Sequence, residues 1–280
     1  MMDDAAPPVG PLPSGGYVFA NATGFTDPRT GEHRGLLDDL AATLDSFTQR
    51  RLVEAGVGPG ARCLEVGAGA GTVARWLAER VGPDGRVVAT DVDPQPLPPH
   101  PSLTVVRHDI VTDPLEEGAY DVVHARLVLA HLPQRERVLE RLVGALAPGG
   151  VLVLEEFDPS WDRCVLWAPD VDAHRLFAEY HRALMAALRA AGTDPGWGRR
   201  LPHTLAEAGL TAVSAEFWAR AWRGGEPGCR LAYVAAGHLR ARLVDNGMSP
   251  SDIDRLRELL LDPRLLIHGN LAVSAMGRRS

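Results

Sequence analysis

The stretch Leu64-Glu65-Val66-Gly67-Ala68-Gly69-Ala70-Gly71-Thr72 holds the residues of this chain best suited to chemistry. An apolar run carries one acid, and glycines at alternate positions then lead into a helical pattern. Glycine lets a backbone approach a ligand closely, and a helix start offers free N–H groups at the positive end of its dipole. Asp91 closes the next apolar run 20 residues after Gly71, where a carboxylate can accept from both hydroxyls of a ribose. Asp109 follows a third run, where it can accept from an adenine amino group. Gly69-x-Gly71-x-x-Ala74 also fits the loose fingerprint of a nicotinamide dinucleotide fold. Glu65 argues against that reading: it would face a pyrophosphate across the loop, whereas it favours a cationic ligand.

A second set of residues could act on a bound substrate. Histidine is the natural base near neutral pH. His131, in Leu129-Ala130-His131-Leu132-Pro133, lies a turn or two past the fourth strand on the ligand side. It is a candidate base or substrate ligand, or else a cap on the next helix. His124 ends the fourth strand toward the same cleft. Glu155-Glu156-Phe157-Asp158 ends the fifth, and carboxyl ends of parallel strands form the ligand crevice of such sheets. Asp158 is therefore a candidate, or a carboxylate that orients its loop. His174 and His181 are seven apart on a predicted helix and share a face with Phe177. Cys63, Cys164 and Cys229 are too far apart for a zinc or iron–sulfur spacing, and no metal is expected.

These residues need an alternating scaffold, and the hydrophobic pattern predicts one. An amphipathic helix spans Glu32 to Gly56, with Leu36, Leu40, Leu44, Phe47 and Leu52 on one stripe. Strands follow at Arg62–Val66, Arg86–Thr90, Leu103–Arg107, Tyr120–His124 and Val151–Glu155, with helices at Thr72–Val81 and Gln134–Ala147. Continuous Val/Leu runs suit parallel strands buried on both faces. The crossover Asp93-Pro94-Gln95-Pro96-Leu97-Pro98-Pro99-His100-Pro101 is too rich in proline for a regular helix. Beyond Pro159 the predicted elements are helices at Val171–Ala191, Leu201–Ala208, Arg230–Val244 and Ser251–Leu261, and strands within Thr211–Trp222 and Leu265–Met276. The expected fold class is α/β: a doubly wound, mostly parallel, seven-stranded sheet with an N-terminal helix and a helical lid. The expected divisions are a flexible arm at 1–16, a helical segment at 17–56, and one domain at 57–280 with its lid at about 160–208.

The ordered set resembles the class I S-adenosylmethionine-dependent methyltransferases. It comprises the Glu65-x-Gly67-x-Gly69-x-Gly71 loop, Asp91, His108-Asp109-Ile110, Tyr120-Asp121-Val122-Val123-His124-Ala125-Arg126 and Leu146-Ala147-Pro148-Gly149-Gly150. The match runs from about Gly60 to Asp158. By that resemblance Glu65, Gly67, Ala68, Gly69 and Gly71 would cradle the methionine part of S-adenosylmethionine. Asp91 would bind the ribose, Val92 and Ile110 would sandwich the adenine, and Asp109 would lie on its edge. Arg126 would stand where the methionine amino group and the substrate meet. The proline-rich stretch departs from the family's pattern and puts the adenosine-side wall in doubt.

Composition limits what could be methylated. The chain has 280 residues, 45% apolar and 23% charged, an ordinary globular balance. All 29 basic residues are arginine, so lysine Schiff-base and P-loop chemistry are excluded. A net charge of −7 gives no field that attracts nucleic acid. No apolar run is long enough to span a membrane, and the N-terminus is acidic and proline-rich, so a cytoplasmic protein is expected. The lid's tryptophans suggest a pocket for an apolar or aromatic small molecule. The expected function is methylation of such a molecule, at oxygen first and nitrogen or carbon next, as in the tailoring branch of secondary metabolism. A cyclisation on the same fold, a non-catalytic cofactor-binding protein and a homodimeric state stay open at this point.

Overall fold

The computed structural model describes residues 25–26, 31, 33–159 and 164–280. The arm expected at 1–16 lies outside the described residues, as do residues 160–163, where the lid is expected to begin.

Strands β1 (Arg62–Val66), β2 (Arg86–Asp91), β3 (Leu103–Arg107), β4 (Tyr120–Arg126), β5 (Leu146–Asp158), β6 (Thr211–Trp218) and β7 (Leu271–Arg278) form one seven-stranded sheet. Its order is β3-β2-β1-β4-β5-β7-β6. β7 runs antiparallel to both neighbours and all other pairs are parallel. The doubly wound, mostly parallel α/β sheet is therefore as expected. The order reverses between β1 and β4, and a ligand crevice opens at the carboxyl ends beside such a reversal.

The period of two along each strand divides the core. Leu64, Val123, Leu152 and Val273 face one layer, built from α3 (Arg135–Ala145) and α5 (Trp197–Glu207). Cys63, Val122 and Val153 face the other, built from α1 (Leu36–Glu54) and α2 (Thr72–Val81). A Cβ on Gly198 would stand 2.7 Å from the Phe157 carbonyl oxygen, so a glycine lets α5 lie directly on β5. Between β2 and β3 the proline-rich crossover forms no helix. Edge strand β3 consequently leaves Val105 and Val106, on opposite faces, both partly uncovered.

Two of the predicted strands divide. The segment Thr211–Trp222 yields β6 and a short strand Ala221–Arg223; Leu265–Met276 yields Leu266–His268 and β7. The two short pieces join Val165–Trp167 in a separate antiparallel sheet. Around it pack α4 (Ala173–Ala190), α6 (Pro227–His238), α7 (Arg240–Asp245) and α8 (Pro250–Leu261), with Phe177, Trp222, Leu243 and Leu256 in their shared core. Both the β5–β6 and the β6–β7 connections thus contribute to a cap above the sheet, while α5 covers the sheet itself. Helix α1 ties the layers together: Asp39, buried in its first turns, pairs with Arg230 of α6 at 2.9 and 3.0 Å.

Candidate active site

The loop between β1 and α2 is held open by its own backbone. Gly67, Gly69 and Gly71 have φ of +70°, +53° and +74°, a left-handed path that glycine adopts without a Cβ penalty. The amides of Gly67 and Ala68 both donate to the Thr90 carbonyl, at 2.8 and 3.0 Å. Gly69 N–H donates to Asp91 Oδ2 at 2.9 Å, and Asp93 N–H to Asp91 Oδ1 at 3.0 Å. Asp91 therefore braces the loop as well as standing at the end of β2. No side chain caps α2, which leaves the first-turn N–H groups of that helix open to a ligand.

Three side chains wall the loop. A Cβ on Gly67 would meet Val128 Cγ2 at 2.5 Å, one on Gly71 would meet Leu97 Cδ1 at 2.4 Å, and one on Gly69 would meet Leu37 at 3.6 Å. Leu97 belongs to the proline-rich crossover, which supplies a wall where the usual helix is missing. Val92, 58% exposed, and Ile110, in the core, stand past β2 and β3. Asp109 Oδ1 takes the Val111 N–H at 2.8 Å. A glycine cradle that any side chain would fill, with a carboxylate at its rim, fits S-adenosylmethionine.

Below the loop lies a buried charge network. Glu65 Oε2 is 2.6 Å from His124 Nδ1, and His124 Nε2 is 3.6 Å from Glu155 Oε2. Burial alone would push the His124 imidazole down, but the two carboxylates outweigh it and hold it up at about 9. Burial likewise opposes the charge on Glu155, yet bonds from His124 and Thr48 keep its carboxyl below the usual range. Arg126 Nη1 donates to Asp45 Oδ1 at 2.9 Å and to Thr48 Oγ1 at 3.0 Å, both on α1. His124 is fully buried and does not face the cleft as the sequence suggests, because its strand position lies between two inward carboxylates.

A cavity of about 200 Å³ opens between the carboxyl edge of the sheet and the cap. Its walls include Leu36 and Leu40 of α1, Leu127, Ala130 and His131 after β4, and Glu156 and Asp158 of β5. The cap adds Phe177, Tyr180 and His181 from α4. His174, placed by the sequence on the same face as His181, is not among the lining residues. Leu127 sits at φ +57°, a strained conformation for a branched side chain, where the chain turns off β4. His131 is near Thr193 Oγ1 at 3.3 Å, and burial together with Arg135 pushes its imidazole down to about 4. Asp158 accepts from Arg199 Nε at 3.1 Å.

Glu156 was legible only as part of an acidic strand end. The structure puts it on the cavity wall, two residues from Asp158 and so on the same face of β5. Its Oε1 accepts the Ala130 N–H at 3.0 Å. Burial pushes its carboxyl up to about 8, against the backbone amides of residues 128–130. An acid interrupting the Val/Leu run of a buried strand is the signal that marks it.

Residues 64–152 match the family of methyltransferase domains. The methyltransferase Str2 of Strobilurus tenacellus is 32% identical over 183 residues, 63% of this chain and 63% of that protein. The chain spans less than two thirds of the length of the curated relatives it matches first, 63% and 44%. Among solved structures, the YcgJ protein from Bacillus subtilis superposes at a TM-score of 0.53 with 11% identity, over 84% of this chain and 98% of that one. A phosphoethanolamine N-methyltransferase from Haemonchus contortus, in complex with phosphomonomethylethanolamine and S-adenosylhomocysteine, superposes at 0.50 with 14% identity, over 84% and 53%. The resemblance to methyltransferases read from the glycine loop and its acids is borne out by the match over residues 64–152.

Proposed function

We infer that this chain, which carries a class I S-adenosylmethionine-dependent methyltransferase domain, methylates an apolar small molecule, at oxygen before nitrogen or carbon. One observation supports this above the others: the cofactor loop and the cavity share a wall. Val128 abuts Gly67 on one side, while its neighbours Leu127, Ala130 and His131 line the cavity on the other.

The cofactor supplies a methyl group on a sulfonium sulfur and leaves as S-adenosylhomocysteine. Gly67, Ala68, Gly69 and Gly71 would hold its methionine part, with Glu65 beneath them. Asp91 would take the ribose, and Val92, Asp109 and Ile110 the adenine. Arg126 would act from behind, by fixing α1 through Asp45 and Thr48. In-line transfer needs alignment and exclusion of water, which the apolar cap and α1 provide. His131, held neutral by burial, would receive the acceptor's proton as the oxygen–carbon bond forms. Asp158, anchored by Arg199, would shape the floor.

Calorimetric titration with S-adenosylmethionine, S-adenosylhomocysteine and NAD in parallel tests the reading. Micromolar binding of the first two and none of NAD is expected. Binding of NAD alone would sink it.

A further inference from the structure

The cavity wall has an unusual charge inventory. Among the described residues no arginine lines it, and the chain has no lysine. Among the described residues three carboxyl groups face it: Glu156, Asp158 and Asp194. Asp158 is already paired with Arg199 at 3.1 Å, and Asp194 pairs with Arg200 and, at 3.7 Å, with Arg135. Glu156 differs. Among the described residues its hydrogen-bond partners are backbone amides, chiefly Ala130 N–H at 3.0 Å. It is thus a buried acid without a paired cation, fixed in place by the turn that carries His131.

We propose that the methyl acceptor is an uncharged molecule bearing a hydroxyl or carbonyl group, and that Glu156 is the polar anchor that hydrogen-bonds this group beside His131. The inference rests on the methyl-transfer reading for the acceptor's role, not for the binding chemistry itself. An anionic acceptor would enter a wall on which no arginine stands among the described residues, and an unpaired buried charge is strongly disfavoured. A cationic acceptor would find two of the three carboxylates already paired. A neutral oxygen function suits a carboxyl group whose proton burial retains, because such a group can both donate and accept. With His131 held neutral as well, Glu156 and its neighbour His131 are both uncharged near pH 7.

The test uses four probes of one shape on the whole protein saturated with S-adenosylhomocysteine: 1-naphthol, naphthalene, 1-naphthoate and 1-naphthylmethylammonium. Affinities are read by calorimetry. Naphthol is expected to bind about tenfold tighter than naphthalene, the worth of one hydrogen bond in a desolvated site. The two charged probes are expected to bind more weakly than naphthalene. Glu156→Gln, which keeps a donor and an acceptor, should hold the naphthol preference within about threefold. Glu156→Leu should erase the preference while naphthalene still binds. Tighter binding of either charged probe than of naphthol overturns the proposal, as does a preference that survives in Glu156→Leu or failure of all four probes. The wild-type series needs no variant to fold. If the wild-type protein binds no S-adenosylhomocysteine, the same series on the protein alone still reads the anchor, and naphthol selectivity there would count against methyl transfer and leave the anchor standing.

Discussion

His124 Nδ1 and Glu65 Oε2 lie 2.6 Å apart across neighbouring parallel strands, both sealed from solvent directly beneath the glycine loop. A charged imidazole in that position must be matched, and Glu155 closes the pair from the other side at 3.6 Å. The arrangement locks β1, β4 and β5 at their carboxyl ends, where the loop and the cavity wall begin.

Removing the imidazole should therefore be costly. His124→Leu leaves two buried carboxylates facing each other, and loss of about 3–5 kcal/mol of stability is expected. The pH dependence has a definite sign. His124 is held up at about 9 in the folded chain against the 6.5 of an ordinary imidazole, so its contribution is complete below 6.5 and fades as pH rises toward 9. Urea midpoints at pH 6, 7.5 and 9 should fall across that window in wild type and fall less in His124→Gln, where the part due to Glu156, held up at about 8, remains. An unchanged slope in the variant would show that the imidazole is neutral.

Asp91 should matter twice, through the ligand and through the loop. It braces Gly69 N–H at 2.9 Å, and Gly69 lies at φ +53°, where a β-branched residue is strained. Asp91→Ala and Gly69→Val should each weaken S-adenosylhomocysteine binding by at least about tenfold to a hundredfold. Circular dichroism should report a folded protein in both. Retained affinity in both variants would remove the loop from the cofactor site.

Much of the scaffold was legible because its signals are local. Continuous Val/Leu runs marked β1 to β5, and the proline cluster correctly forbade a helix before Leu103. The cap was harder. The breaks after Trp218 and His268 send the chain out of one sheet into another, and only packing distant in sequence decides that. Glycine supplies part of the reason, since a Cβ on Gly269 would stand 2.7 Å from Trp222 Nε1. The acids of the glycine loop were readable from spacing. The partners of His124 and Arg126 were not, because Asp45, Thr48 and Glu155 come from a helix and a strand far away in the chain. Burial then changes what the residues are: His124 reads as a base in the sequence and stands as a buried cation in the fold.

His131 should separate binding from turnover. His131→Ala should keep its affinity for S-adenosylhomocysteine, while methyl transfer to an acceptor found by labelled-methyl screening falls by about a hundredfold or more. Because burial lowers its imidazole to about 4, no limb from this residue is expected in the rate between pH 6 and 8. Its effect on stability runs opposite to that of His124. The unfolded chain takes up this proton first, so the contribution of His131 to stability declines as pH falls from 6.5 toward 4. His131→Ala should remove that contribution, as read from the difference in thermal midpoint between wild type and variant at pH 4.5, 5.5 and 6.5.

Arg126 offers a sharper discrimination. The resemblance assigns it to the methionine end of the cofactor and the substrate, whereas its guanidinium holds Asp45 at 2.9 Å and Thr48 at 3.0 Å. Those bonds fix α1, whose Leu37 stands against Gly69 and whose Leu36 and Leu40 line the cavity. A tether acts through either partner, so Asp45→Ala should weaken S-adenosylhomocysteine binding as much as Arg126→Ala does, by roughly tenfold. Faster hydrogen exchange over Leu36–Glu54 should accompany it in both variants. Asp45 offers the cofactor no guanidinium. If Arg126→Ala alone loses affinity, while Asp45→Ala binds normally with an equally loosened helix, Arg126 touches the cofactor directly and its bond to α1 is secondary.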